Sequence, residues 1–148
     1  ARANLADVYR SLGDEGRAED LLLDGLALDE NNAALRHALG LSYVRSGRSE
    51  GALVELRRAA ELAPDNPRFA YVLAIALNSL GQPDAALSIL REAYTRFDGD
   101  FDIGMALATV LRDSGDQEGA LEVANALAQR HPEDRNVAAL LQSLQTTP

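Results

Sequence analysis

A chain of 148 residues with 47% apolar side chains, only 5% aromatic and no Trp has the composition of an all-helical protein packed through small side chains. Its net charge of −9, from 23 acidic against 14 basic residues, repels polyphosphate and anionic headgroups at long range, which argues against nucleic acid and membrane partners. With no cysteine there are no disulfides, thiol catalysis or thiolate-held metal, and no apolar run approaches the roughly 20 residues of a membrane span.

A single period governs the chain. Gly13, Gly47, Gly81 and Gly115 lie 34 residues apart without insertion or deletion, and Ala18, Ala52, Ala86 and Ala120 keep the same spacing. So do Leu5, Leu39, Leu73 and Leu107, the small column Ala6, Gly40, Ala74 and Ala108, and the polar column Asn32, Asn66, Asp100 and Asp134. A repeat of this length marks a solenoid, in which each unit is one supersecondary element that buries its apolar face on its neighbours. The expected repeats are about 1–32, 33–66, 67–100 and 101–134, together one domain over 1–148.

The chain opens at Ala1 with no initiator Met or signal peptide, already inside its first repeat, and reads as a piece with something upstream, further repeats among the candidates. A first helix is expected over about 3–12, stopped by Gly13 in the left-handed turn conformation, and a second over about 16–29. Asn32 then caps a helix at about 33–46, and after Gly47 a partner follows at about 49–63, with Pro64 at its exit. Asn66 with Pro67 at the first helical position opens about 67–80, and Pro83 opens about 83–97. Asp100 starts about 101–114, Gly115 turns the chain into about 117–131, and Pro132 marks that exit. Connections this short make antiparallel hairpins. A last helix at about 134–145 carries Val137, Leu140, Leu141 and Leu144 on one side and Arg135, Asn136, Gln142, Ser143 and Gln145 on the other, as a terminal cap should.

Small residues set the packing. Gly40, Ala74 and Ala108 on first helices are expected to face Ala52, Ala86 and Ala120 on second helices, close enough for axes to approach about 8–10 Å. Leu39, Leu73, Leu107, Tyr43, Leu56 and Leu90 fill the space around them, while Gly104 weakens its helix by about 1 kcal/mol relative to Ala.

The second unit, with Leu39-Gly40, Tyr43, Gly47, Ala52, Leu56, Ala59 and Pro64, resembles the tetratricopeptide repeat at every signature position except the opening Trp, where Arg36 stands. The third and fourth units differ by Leu77 and Leu111 for Tyr and Asp98 for Pro, and the first by Ala6 for Gly and Gly25 for Ala. The resemblance covers essentially the whole chain. It implies an all-α, right-handed superhelical solenoid of helix-turn-helix repeats whose first helices line a concave groove holding a peptide or a partner helix.

The first-helix positions left over from packing are Asn4, Asp7, Arg10, Ser11, His37, Leu41, Val44, Arg45, Arg68, Tyr71, Ile75, Asn78, Ser79, Met105, Thr109, Arg112 and Asp113. Leu41, Tyr71, Ile75 and Met105 form an apolar floor in this reading, and Arg10, Arg45, Arg68 and Arg112 bring positive charge to an acidic body. Such a groove suits a segment with apolar anchors and an acidic group or C-terminal carboxylate, because Arg offers a bidentate fork. The expected peptide-binding residues are His37, Leu41, Arg45, Arg68, Tyr71, Ile75, Met105 and Arg112. The plain alternative is a solvated helix face with scattered apolar residues. The carboxylate clamp of chaperone-binding family members maps onto Ala3, Asp7, Ala38, Arg68 and Val72, of which only Arg68 is compatible, so the resemblance does not extend to that clamp.

No Gly-rich phosphate loop, Ser-His-Asp set or metal spacing occurs, and His37 and His131 fall in different repeats, so neither an enzyme nor a cofactor or metal site is expected. All 14 basic residues are Arg, a bias expected of GC-rich, bacterial coding, and cytoplasm and periplasm are both admissible. Two other functions stay open. Leu23 stands where other repeats have Arg57, Arg91 and Asn125, so an exposed Leu could support a homo-oligomer. The Ala/Leu/Arg-rich style also loosely resembles tetratricopeptide tails of bacterial multi-haem cytochromes, which would make the chain the accessory part of a larger enzyme or carrier.

Overall fold

The computed structural model describes the backbone of residues 2–146 and the side chains of residues 4–146; Ala1 and the side chain of Ala3, two positions named above, lie outside it. Among the described residues there are helices and turns and no strand. The helices are α1 (Arg2–Ser11), α2 (Glu15–Leu28), α3 (Ala33–Arg45), α4 (Ser49–Leu62), α5 (Pro67–Ser79), α6 (Pro83–Arg96), α7 (Phe101–Asp113), α8 (Gln117–Arg130) and α9 (Arg135–Thr146). Each expected helix is present, with no end displaced by more than one residue.

The chemistry at the helix ends explains why the period reads so plainly. The Asn32 carboxamide oxygen accepts the amide of Leu35 at 3.0 Å, Asp100 accepts that of Ile103 at 3.1 Å, and Asn66 accepts that of Arg68 at 3.0 Å. Asp134 accepts two, from Asn136 at 2.8 Å and Val137 at 3.0 Å. Each first helix stops at a glycine of φ 76° to 91°, after which the next amide reaches back to the helix, as Arg48 N–H does to the Tyr43 carbonyl at 2.9 Å. That left-handed turn needs a residue without a Cβ. Asp98, the departure from Pro noted above, takes φ 45° and is followed by Gly99 at φ 73°. Arg130 secures this turn by donating to the Asp98 carbonyl at 2.8 Å.

The chain divides into two compact units, residues 1–76 and 77–148. In the first, α1 packs on α2, α2 on α3 and α3 on α4, with α1 also touching α3. Its core holds Ala6, Ala18, Leu22, Leu26, Leu35 and Leu39, with Tyr9, Ala38 and Tyr43 packed against them. The α3–α4 hairpin closes on Gly40, where an added Cβ would stand 2.7 Å from Cγ and Cδ2 of Leu56. In the second unit α6 packs on α7, α7 on α8, and α9 covers α8 and reaches α7. Gly104 gains a reason that its helix propensity lacks: a Cβ there would stand 2.8 Å from Tyr94 Cε1 and 2.9 Å from Leu127 Cδ2. Val137, Leu140 and Leu144 of α9 are buried, as expected of the covering face of a cap.

Arginine ties neighbouring elements together in the first unit. Arg36 of α3 donates to Glu55 of α4 at 2.9 Å, half buried. Arg48 forks onto both carboxylate oxygens of Glu19 while its guanidinium lies over the Tyr43 ring, 4.3 Å from the centroid. The hydrogen bonds from Arg48 hold the Glu19 carboxyl below the usual carboxylate range against the opposing effect of burial, and Glu19 raises Arg48 in turn.

Candidate functional site

The first unit contains a cleft of about 340 Å3, floored by Ala6, Ala18 and Leu22 and walled by α1, α3 and the start of α5. Three expected site residues, His37, Leu41 and Arg45, meet there on α3, because spacings of four bring them to one face of a helix. Asp7 and Arg10 of α1 and Phe69 of α5 complete the wall. The His37 ring stacks on Phe69 with centroids 4.4 Å apart and planes 23° from parallel. Its Nδ1 is buried without a hydrogen-bond partner among the described residues. Burial, and secondarily the positive charge of Arg68, holds the imidazole below the usual histidine range, so at neutral pH it is uncharged.

The cations around the cleft differ in how far they are committed. Arg45 forks onto Glu15, with Nε to Oε1 at 3.0 Å and Nη2 to Oε2 at 3.4 Å, and Arg10 lies 3.4 Å from Asp7. Arg68, Tyr71 and Ile75 follow one another along α5 at spacings of three and four, forming a stripe. Arg68 is exposed, Tyr71 half-buried, and Ile75 37% exposed.

Met105 and Arg112 belong to a second cleft, about 430 Å3, within the second unit. Phe101, Asp102, Met105, Thr109 and Arg112 of α7 line one side and Asn136, Ala139, Leu140 and Ser143 of α9 the other. Arg112 donates to Asp113 at 3.0 Å and to the Ser143 hydroxyl at 3.1 Å. His131 sits at the end of α8, where its ring meets the edge of Phe101 at 4.9 Å. Among the described residues no group of three or more His, Cys, Asp or Glu is placed to hold a metal, and no helix is long and apolar enough to cross a membrane.

Sequence reasoning missed Phe69 and Glu15. Phe69 shares a column with Leu35 and Ile103, both buried, so periodicity assigns it to the core; its being aromatic in an aliphatic column was the available signal. Glu15 occupies a first-turn position that the helix dipole already accounts for, and nothing in the sequence points from it to Arg45.

Comparison with known proteins bears on the family and the fold. Tetratricopeptide repeat profiles match residues 1–32, 37–101 and 77–144. The human protein O-mannosyl-transferase TMTC1 is 28% identical over 141 residues, which is 95% of this chain but only 16% of that protein. Among solved structures, YrrB, described as a tetratricopeptide protein with an unusual peptide-binding site, superposes with TM-score 0.78 at 22% identity, covering 97% of this chain and 74% of that one. MamA from Desulfovibrio magneticus RS-1 superposes with TM-score 0.82 at 16% identity over 97% of this chain and 81% of its own. A thermophilic tetratricopeptide protein from Thermus thermophilus does so with TM-score 0.74 at 21% identity, over 97% and 79%. Likeness at such identities is likeness of fold, and the fold is that of an all-α helical-repeat solenoid. Repeats of this fold present helix faces to other proteins and serve as interaction scaffolds. With helices, caps, turn glycines and all three profile matches in agreement along its length, the chain is a member of the tetratricopeptide repeat family.

Proposed function

We propose that residues 1–148 act as one domain that binds a peptide or a partner's helix along its first helices, and that the chain is not an enzyme. The observation that carries this reading is the first cleft, where an apolar floor and the Leu41 and Phe69 side chains lie beside Arg10 and Arg45 in a chain of net charge −9. A segment with an apolar anchor and an acidic group fits that chemistry, the apolar part displacing water and the acid meeting guanidinium. His37, Leu41, Arg45, Arg68, Tyr71 and Ile75 form the contact set in the first unit, and Met105 and Arg112 that in the second. The test compares capture of lysate proteins by the chain and by an Arg68→Glu/Tyr71→Ala variant of equal helicity. Arg45 is left unchanged, since a Glu there would confront Glu15. Loss of a partner from the variant alone supports the reading; equal capture by both overturns it.

Exposed leucines favour a second reading, self-association. Leu23 is 42% exposed, and Leu5 and Val8 of α1 and Leu12 in the turn after it are exposed although Leu39, Leu73 and Leu107 in the Leu5 column are buried. A weight-average mass that stays monomeric in sedimentation equilibrium across the accessible concentrations would remove it. Because the chain spans 16% of a transferase relative, an accessory role in a larger enzyme is the third reading, judged by the sequence of the parent protein.

A further inference from the structure

The arginines in and beside the two clefts are unequal, and one is free. Arg10, Arg45 and Arg112 are each held by a carboxylate of this chain, Asp7, Glu15 and Asp113. The Arg68 guanidinium has no ion pair or hydrogen bond among the described residues. It stands beside Phe69, on which His37 stacks, and close enough to His37 for its charge to bear on the imidazole. Arg68 does not itself line the first cleft but precedes Phe69, which does, so an anion at that rim meets one uncommitted guanidinium beside a ring held in place by stacking. The anion need break no existing pair there.

The His37 ring has unused capacity of its own. Nδ1 is buried and unpaired, which leaves Nε2 as the nitrogen able to meet a ligand in the cleft. The charged groups around it are Asp7 and Arg10 on α1, Arg45 on α3 with its partner Glu15 on α2, and Arg68 on α5. The two carboxylates are already occupied by Arg10 and Arg45, so the uncompensated charge near the ring is that of Arg68.

We propose that Arg68 and His37 form a carboxylate anchor, Arg68 making the ion pair and His37 taking one proton from solvent as the anchor fills, so that an acidic segment binds more tightly in mildly acidic solution. This rests on the reading of the cleft as a peptide site and says which group is read and how pH regulates it. The sign follows from linkage. In the free protein, burial and Arg68 both oppose charging His37. A bound carboxylate offsets the Arg68 charge and accepts the imidazolium N–H, so the bound state holds more protons and affinity rises as pH falls through the histidine range.

The test is an NMR titration of the protein with acetyl-Leu-Asp-Phe-amide and with its Asn counterpart, at pH 6 and pH 8. The expected result is that the Asp peptide shifts the Arg68 Nε–H and the His37 ring signals, binds about tenfold better than the Asn peptide at pH 6, and loses most of that advantage at pH 8. The His37 titration midpoint should rise on saturation. Arg68→Gln should make the two peptides equal. His37→Gln should keep a preference for Asp but abolish its pH dependence, and the wild-type His37 titration provides the same information should that variant misfold. Equal binding of both peptides in the cleft would overturn the anchor and leave the groove reading standing. No shift of any cleft residue by either peptide would also overturn the anchor, while the groove reading is decided separately by the Arg68→Glu/Tyr71→Ala capture.

Discussion

Single positions in this chain are set by what a Cβ or a charge would meet. Gly40→Ala should cost about 1–3 kcal/mol in urea unfolding, because the new methyl must push Leu56 out of a fully buried place and also approaches its backbone nitrogen at 3.2 Å. The same column carries Ala6, Ala74 and Ala108, so from sequence the substitution reads as conservative and even helix-favouring. His37 makes a different prediction. Its neutral form is favoured in the folded protein, whereas the unfolded chain takes up a proton with an ordinary histidine pKa near 6.5, so the unfolded state binds more protons below that pH. The stability owed to this group is complete above about pH 6.5 and declines as pH falls towards the folded-state value. Denaturation midpoints measured between pH 7.5 and 5 should therefore fall less for His37→Gln than for the native chain.

Among the elements, what repeats was legible and what occurs once was not. The polar caps, turn glycines and Leu and Ala columns recur every 34 residues, so the helices could be bounded from sequence to within a residue. The Arg45–Glu15, Arg48–Glu19 and Arg36–Glu55 pairs belong to single positions with no counterpart one period on, and the first of them commits an arginine of the expected site. The second helices show the same contrast. Asp14 caps α2 by accepting the Arg17 amide at 3.1 Å and Asp116 caps α8 by accepting that of Gly119 at 2.9 Å. The equivalent residues Arg48 and Gln82 provide no side-chain cap to α4 and α6. The Gln82 backbone, φ −117° and ψ 61°, is close to that of Asp14, φ −101° and ψ 72°, so Gln82→Asp should install the missing cap and stabilise the protein by about 1 kcal/mol, read as a raised thermal midpoint. On α9, Leu140→Asp would place a carboxylate in the apolar contact that covers α8, and loss of several kcal/mol with concentration-dependent association is the expected outcome in sedimentation and thermal melts.

For the molecule as a whole, a net charge of −9 and the carboxylate anchor proposed beside the first cleft pull in opposite directions, and distance decides between them. Beyond the Debye length, about 8 Å at physiological salt, an acidic partner meets mostly screened repulsion from the body; within it, the partner meets Arg68. At low salt the repulsion reaches farther and slows encounter, so the association rate of an acidic partner should rise as salt is raised from about 20 to 150 mM. The dissociation rate should rise as well, since the Arg68 contact is exposed and salt weakens it. Affinity would then change little with salt while both rates increase, a pattern that stopped-flow measurements separate cleanly. A basic partner steered by the acidic surface would behave in the opposite way, its association slowing steeply with salt, and that result would mean that the charge of the body, rather than Arg68, selects what binds.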